Sequence, residues 1–129
     1  MMNALRVQVA FADVTIDRTE IGLFANFALP SEAPRCPVPR AILDDVQLTI
    51  RDRDNPTLCI LFVKDGVLEV LECYDAADED WPEFPQIVKV EYLLYHPEPV
   101  RPGVDEEMRY TAEPIPARDL DGLKRMWTE

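Results

Sequence analysis

The sequence predicts a single α+β domain, residues 1–129, with a mainly antiparallel sheet of about six strands and a C-terminal helix. Three observations lead to this expectation. The chain has the length of one domain. Apolar and polar residues alternate over several short stretches that are separated by turn signals. The one stretch that favours helix lies at the end of the chain. A β-sandwich or a partly closed barrel with a terminal helix is the alternative architecture.

The N-terminal residues have the period of strands. Apolar residues alternate from Leu5 to Phe11, and the phase then moves to Val14 and Ile16, so we expect a first strand with a β-bulge near residues 12–13. Alternation resumes over residues 21–29, which predicts a second strand and a hairpin. Phe24 places an additional apolar group on the opposite face of that strand.

The clearest predicted element is a hairpin in the middle of the chain. Residues 58–63 are continuously apolar and Asp65-Gly66 is a strong turn signal, so residues 67–74 are expected to form the second strand of the hairpin. The unbroken run predicts a central strand that is covered on both faces. A two-residue turn would not place Cys59 directly opposite Cys73, and together with Cys36 we expect them to be buried thiols.

The remaining elements are shorter. Prolines mark two extended loops at residues 30–40 and 96–104, and strands are expected at residues 46–51 and 87–94, with a short edge strand near Met108–Ala112. The helix is predicted near the C-terminus, where three apolar residues share one stripe behind a proline suited to a first helical turn. These are Leu120, Leu123 and Trp127, behind Pro116.

The net charge of the chain favours some classes of binding partner over others. The chain has 25 acids against 13 bases, a formal net charge of −12. This balance argues against nucleic acid and anionic membranes and favours a basic protein partner, although acidity also serves solubility alone. No apolar window is long enough to span a bilayer, and the N-terminus lacks the features of a signal peptide, so we expect a cytoplasmic protein.

The acids are concentrated in one stretch. No Lys, Arg or His lies between Lys64 and Lys89, where there are eight acids. The second half of this stretch, DAADEDWPEF, is predicted to be a loop that binds a partner through carboxylates and an aromatic anchor. The candidate residues are Asp75, Asp78, Glu79, Asp80, Trp81, Glu83 and Phe84. The alternative is that Trp81 and Phe84 pack into the core and the acids are only solvated.

Other kinds of site are not favoured. The acids of the loop lack the spacing and the central glycine of a calcium-binding loop, so no metal is predicted. Cys36 and His96 could in principle form a nucleophile and base, but ordinary structural roles suit both residues better. The dispersed glycines do not form a phosphate-binding loop. We therefore predict no catalytic residue and no cofactor.

The segment Cys59–Pro82 contains ILFVKDGVLEVLECYDAADEDWP, in which two apolar strands flank a Lys-Asp-Gly turn and an acidic Trp-Pro follows. This order resembles small acidic bacterial proteins of the toxin-immunity type. The resemblance covers about a fifth of the chain and implies a non-enzymatic protein that neutralises a basic toxin by direct binding. A small housekeeping or assembly subunit that forms a homodimer is the second hypothesis, and a small-ligand binder or enzyme is the third.

Overall fold

The computed structural model describes residues 2–97 and 110–119, which form one helix and seven strands. The strands build a single antiparallel sheet in the order β1-β2-β5-β4-β3-β6-β7. The elements are α1 (Met2–Phe11), β1 (Asp13–Arg18), β2 (Gly22–Ala28), β3 (Arg40–Ile50), β4 (Thr57–Lys64), β5 (Val67–Asp75), β6 (Ile87–Pro97) and β7 (Tyr110–Ile115). The predicted antiparallel sheet is confirmed, and the described residues form an open sheet instead of a sandwich or barrel.

Residues 2–11 form a helix, so the strand expected over Leu5–Phe11 and its bulge are wrong, whereas Val14 and Ile16 lie in strand β1, which pairs with β2. Leu5 and Gln8 are both buried, and only a helix places residues three apart on one side. A strand would direct them to opposite faces of the sheet. The alternating residues Val7, Val9 and Phe11, which suggested a strand, are exposed on the helix.

Gln8 explains why α1 packs where it does. Its side chain is fully buried, and its Nε2 donates to the carbonyl oxygens of Pro34 at 2.8 Å and Gly66 at 2.9 Å. Its Oε1 accepts a hydrogen bond from the backbone N–H of Leu68 at 2.8 Å. One side chain therefore joins the helix to the first Pro-rich loop and to the turn between β4 and β5.

The central hairpin forms as predicted. Asp65 and Gly66 have φ values of 54° and 77°, the two positive values of a type I′ turn. Lys64 pairs with Val67, and Val63 pairs with Leu68. The register then shifts by one residue, because Glu69 is an extra residue on β5.

This bulge corrects the expectation for the cysteines. Beyond it, Cys59 and Cys73 are direct cross-strand partners, and their Sγ atoms are 3.6 Å apart. All three cysteines are free and buried, as predicted. Burial and the neighbouring thiol hold the pKa of Cys59 well above its usual range, with the hydrogen bond to Cys73 as the largest cause.

The two faces of the sheet differ. We call one the covered face, because the helix, the first Pro-rich loop and the loop after β5 pack on it. At one end, Leu5 and Cys36 form a cluster with residues of β3, β4 and β5 such as Val63. At the other end, Trp81 forms a second cluster with residues that include Ile50.

We call the opposite side of strands β2, β5 and β4 the open face. The cross-strand pairs place six apolar side chains there. These are Phe24, Leu58, Ile60, Phe62, Val70 and Tyr74. Each is half-buried, and neither cluster contains any of them. Leu93 of β6 lies on the same side of the sheet and is buried.

The C-terminal part of the described chain returns to the sheet. The guanidinium of Arg118 donates from Nε to Oδ2 of buried Asp45 at 2.8 Å and lies 4.8 Å from the centre of the Tyr92 ring. Residues 116–119 are not helical. The rest of the predicted C-terminal helix lies outside the described residues, as do Met108 and Arg109 of the predicted edge strand.

Candidate functional site

The acidic loop, residues 76–86, follows directly after a buried carboxylate at the end of β5. Asp75 ends β5 with no exposed surface and accepts hydrogen bonds from the backbone N–H groups of Ala77 and Glu79, both at 3.0 Å. Arg53 Nη2 donates to its Oδ1 at 3.0 Å. Burial alone would raise the pKa of Asp75, but these hydrogen bonds and the Arg53 charge outweigh it and hold the pKa below its usual range.

Trp81 also holds the loop to the sheet. Its side chain is 9% exposed, and its indole N–H donates to Oγ1 of buried Thr57 at 3.1 Å. Its backbone N–H donates to the carbonyl of Glu20 at 2.8 Å. Asp75 and Trp81 were both predicted to contact a partner, but their side chains are enclosed by the fold. They position the loop, and the surface that a partner can reach excludes them.

The other predicted residues are accessible. Asp78, Glu79, Asp80 and Glu83 are exposed. Phe84 is 79% exposed. The alternative expectation, that both aromatic residues pack into the core, thus holds for Trp81 but not for Phe84. The structure brings four carboxylates and one aromatic ring together on the surface of a single loop.

The loop is held from the side as well. The guanidinium of Arg18, in β1, donates to the backbone carbonyls of Pro82 and Glu83. Asn55, in the turn before β4, donates to Oε2 of Glu79 at 2.8 Å. Asp78 adopts a positive φ of 56°, which aspartate tolerates better than most residues. Contacts from two separate parts of the chain, β1 and the turn before β4, therefore fix the course of the loop.

The nucleophile and base considered from the sequence do not meet. Cys36 Sγ is 2.9 Å from the carbonyl of Val38, and its backbone N–H donates to Gly66 at the β4–β5 turn. His96 lies on β6, where its Nε2 is 3.0 Å from a carboxylate oxygen of Glu113 on β7. The two residues are engaged with different partners.

Sequence reasoning missed one polar group that matters for the open face. Glu72 lies on β5 between Phe24 of β2 and Ile60 of β4, which are its cross-strand neighbours. It is half-buried and has no hydrogen-bond or ion-pair partner among the described residues. The sequence offered no signal for this, because the position of Glu72 relative to the two apolar residues depends on the bulge and on the strand order.

A hollow of about 420 Å³ lies at the turn end of the sheet and includes Phe62 in its lining. Its charged lining residues are two bases and two acids, Arg40, Lys64, Asp65 and Glu69. This balance does not select a ligand of either charge.

Within residues 2–97 and 110–119, no group of three or more acidic, histidine or cysteine side chains is arranged to hold a metal ion. No helix in that part of the chain is long and apolar enough to cross a membrane. No protein-family model matches the chain, and no curated protein or solved structure shows significant similarity to it.

Proposed function

We propose that this chain is a non-enzymatic cytoplasmic binding protein whose acidic loop recognises a basic protein partner. In its most concrete form it is an immunity protein that neutralises a basic toxin by direct binding. The observation that supports this is the loop, whose backbone is held by Asp75, Trp81 and Arg18 while its acids and Phe84 stay exposed. A surface that is already ordered loses little conformational entropy when a partner binds.

The loop chemistry gives each exposed residue a role. Asp78, Asp80 and Glu83 attract Lys and Arg side chains and accelerate encounter with a basic surface. Phe84 supplies the apolar anchor that we first expected from Trp81, because its ring is exposed while the indole is not. Glu79 is partly committed to Asn55 and so contributes less.

The test reverses three loop acids. The probe is the protein encoded by the adjacent gene, if that gene encodes a basic protein. We expect Asp78→Lys, Asp80→Lys and Glu83→Lys together to weaken its binding about 100-fold in a calorimetric titration, because three attractive contacts become repulsive. The affinity of the unmodified protein should also fall as salt concentration rises.

A matched control separates the loop from net charge. Asp13→Lys, Glu32→Lys and Glu69→Lys change the net charge equally, but these exposed acids lie toward the opposite end of the sheet. This variant should retain most of the affinity. Equal losses in both variants would show that the loop is not the binding surface, and the absence of a basic neighbour that binds would rule out the immunity form of the proposal.

The second candidate is a homodimeric assembly subunit joined through an edge strand. Strand β1 lies at the edge of the sheet with all six residues exposed, including Val14 and Ile16. An exposed edge offers unpaired backbone groups to another strand. A stable dimer in light scattering that Ile16→Lys dissociates would favour this candidate, and a monomer at 100 μM (roughly a hundred times the concentration at which a micromolar dimer half-dissociates) would exclude it.

A further inference from the structure

The open face does not have the composition of a solvated surface. Antiparallel strands that face water on one side alternate apolar and polar residues. Strand β4 instead places Leu58, Ile60 and Phe62 on the open face while Cys59 and Val63 are buried on the covered face. Leu5 of the helix, Cys36 of the first Pro-rich loop and Trp81 of the acidic loop all pack in the two clusters of the covered face. The described residues thus leave an apolar surface without an apolar partner.

The charges on this surface have one sign near the acidic loop. Glu72, which has no hydrogen-bond or ion-pair partner in the described part of the chain, lies among the apolar residues, between Phe24 and Ile60. Asp44, in the β3 bulge, has a buried Oδ1 atom with no hydrogen-bond partner within residues 2–97 and 110–119. Burial raises the pKa of Tyr74, and the nearby charges of Glu72, Asp44 and Asp78 raise it further. The acidic loop begins two residues after Tyr74, and the backbone N–H of Asp78 donates to the carbonyl of Asp75, so the first part of the loop lies beside the Tyr74 end of the open face.

We infer that the open face is the docking surface for an amphipathic basic helix of a partner protein, with a Lys or Arg of that helix paired to Glu72. This inference rests on the proposed function and specifies which surface receives the apolar part of the partner. The charge of the face selects a basic occupant. A second copy of this chain would instead bring a net charge of −12 against the same acids.

The dimensions of the face fit a helix. A helix with its side chains is about 10–12 Å wide, and neighbouring strands are about 4.8 Å apart, so one helix covers β2, β5 and β4. The covered face already uses this arrangement, because α1 packs against β5. A carboxylate that has lost part of its water gains more from a cation than an exposed one does, because its desolvation is already partly complete.

The experiment uses a defined probe and the full chain. The probe is an 18-residue helical peptide with a leucine stripe and lysines elsewhere, and a second peptide replaces every lysine with glutamate. Peptide binding is measured by fluorescence anisotropy, and its location is mapped from backbone amide shifts by NMR. We expect the lysine peptide to bind, the glutamate peptide to bind at least about tenfold more weakly, and the shifts to fall on β2, β4 and β5.

Two pairs of variants provide matched controls. Val70→Thr changes the open face, and Val90→Thr makes the same change at an exposed valine on β6 that pairs with Leu48 of the covered face. Glu72→Gln removes the unpaired charge, and Glu69→Gln removes an exposed one from the same strand. Val70→Thr and Glu72→Gln should each weaken the lysine peptide about tenfold, and both controls should stay within about twofold.

Each other outcome overturns the inference. Equal effects in a variant and its control would show that the open face is not the dock. Side-chain NOEs in the free protein between Phe62 and residues 98–109 or 120–129 would show that the chain covers the face itself. A dimer that Val70→Thr dissociates would identify a second copy as the occupant. If Asp78→Lys, Asp80→Lys and Glu83→Lys together abolish binding of the basic partner protein while Val70→Thr and Glu72→Gln do not, the docking inference fails and the proposed loop function survives.

Discussion

Gln8 is the buried polar residue on which the position of the helix depends. Its three hydrogen bonds reach Pro34, Gly66 and Leu68, which are 26, 58 and 60 residues away along the chain. A buried amide is tolerated only when its donors and acceptor are satisfied. Gln8 therefore specifies one docking position for α1, whereas the apolar contacts of Leu5 alone would allow the helix to shift.

Replacing this amide should be costly. We expect Gln8→Ala to lower the free energy of unfolding by about 3 kcal/mol, because Leu68 N–H and the Pro34 carbonyl lose their partner inside the protein. Urea denaturation measures the change. Gln86→Ala, at an exposed glutamine, is the control and should stay within about 0.5 kcal/mol. Equal effects of the two substitutions would mean that the hydrogen bonds of Gln8 do not hold the helix.

Asp75 makes a prediction about pH. Its pKa is lower in the folded protein than its ordinary value of 3.8, because backbone N–H groups and Arg53 stabilise the carboxylate against the cost of burial. The stabilisation is therefore complete above pH 3.8 and is lost as pH falls through the lower folded-state pKa.

The corresponding variant is Asp75→Asn. At pH 7 it should lose about 2 kcal/mol of stability, since Arg53 is left with its buried partner uncharged. As pH falls below 3.8, the difference from the unmodified protein should shrink. Urea midpoints across this range provide the measurement, with the exposed Asp54→Asn as a reference. A constant difference across the range would contradict a lowered pKa for Asp75.

At the scale of elements, the bulge in β5 determines which side chains share a face. Glu69 is the extra residue, so Leu68 and Val70 lie on opposite faces although they are two apart. Deleting Glu69 should leave every other side chain on its present face, because the hairpin then has a regular ladder. We expect the free energy of unfolding to fall by only about 1–2 kcal/mol.

Deleting Glu72 from the same strand is the matched comparison. It would move Cys73 and Asp75 to the open face and Tyr74 to the covered face, or else break the register with β2 and β4. We expect this variant not to fold, whereas the Glu69 deletion gives a dispersed NMR spectrum and a cooperative thermal transition. A well-folded Glu72 deletion would contradict the register.

The difference between these elements shows what local sequence can encode. The β4–β5 hairpin was predictable because its signals are adjacent: an apolar run, Asp65-Gly66 and a second apolar run. Helix α1 was not, because the alternation of its apolar residues is also that of a strand, and the deciding contacts of Gln8 lie in distant segments. The bulge at Glu69 has no local signature.

The same distinction applies to the candidate site. Charge alone predicted that Asp78, Asp80 and Glu83 would be exposed. The burial of Trp81 depends on Thr57 and Glu20, which lie in other elements, so the sequence could not choose between Trp81 and Phe84 as the exposed aromatic residue.

At the scale of the whole molecule, the two clusters of the covered face share three strands. Leu5 belongs to the cluster near the β4–β5 turn, and Trp81 belongs to the one near the acidic loop. Strands β3, β4 and β5 contribute to both clusters, so we expect them to unfold together as one domain.

Leu5→Ala tests this coupling. In a Trp127→Phe background, Trp81 is the sole tryptophan and reports on the distant cluster. We expect Leu5→Ala to lower the free energy of unfolding by about 3 kcal/mol and to shift the Trp81 fluorescence and circular dichroism transitions equally. Val9→Ala, on the exposed side of the same helix, should shift neither. A Trp81 transition that does not move would show two independent folding units.

The contacts of Gln8 also determine when helix α1 can dock during translation. Residues 2–11 are the first described part of the chain to leave the ribosome, but the groups that fix α1 extend to Leu68. The helix therefore cannot reach its final position until more than half of the 129 residues have been translated. During that interval Leu5, which the folded protein buries, stays exposed, whereas β1 and β2 can pair with each other at once because they are adjacent in sequence.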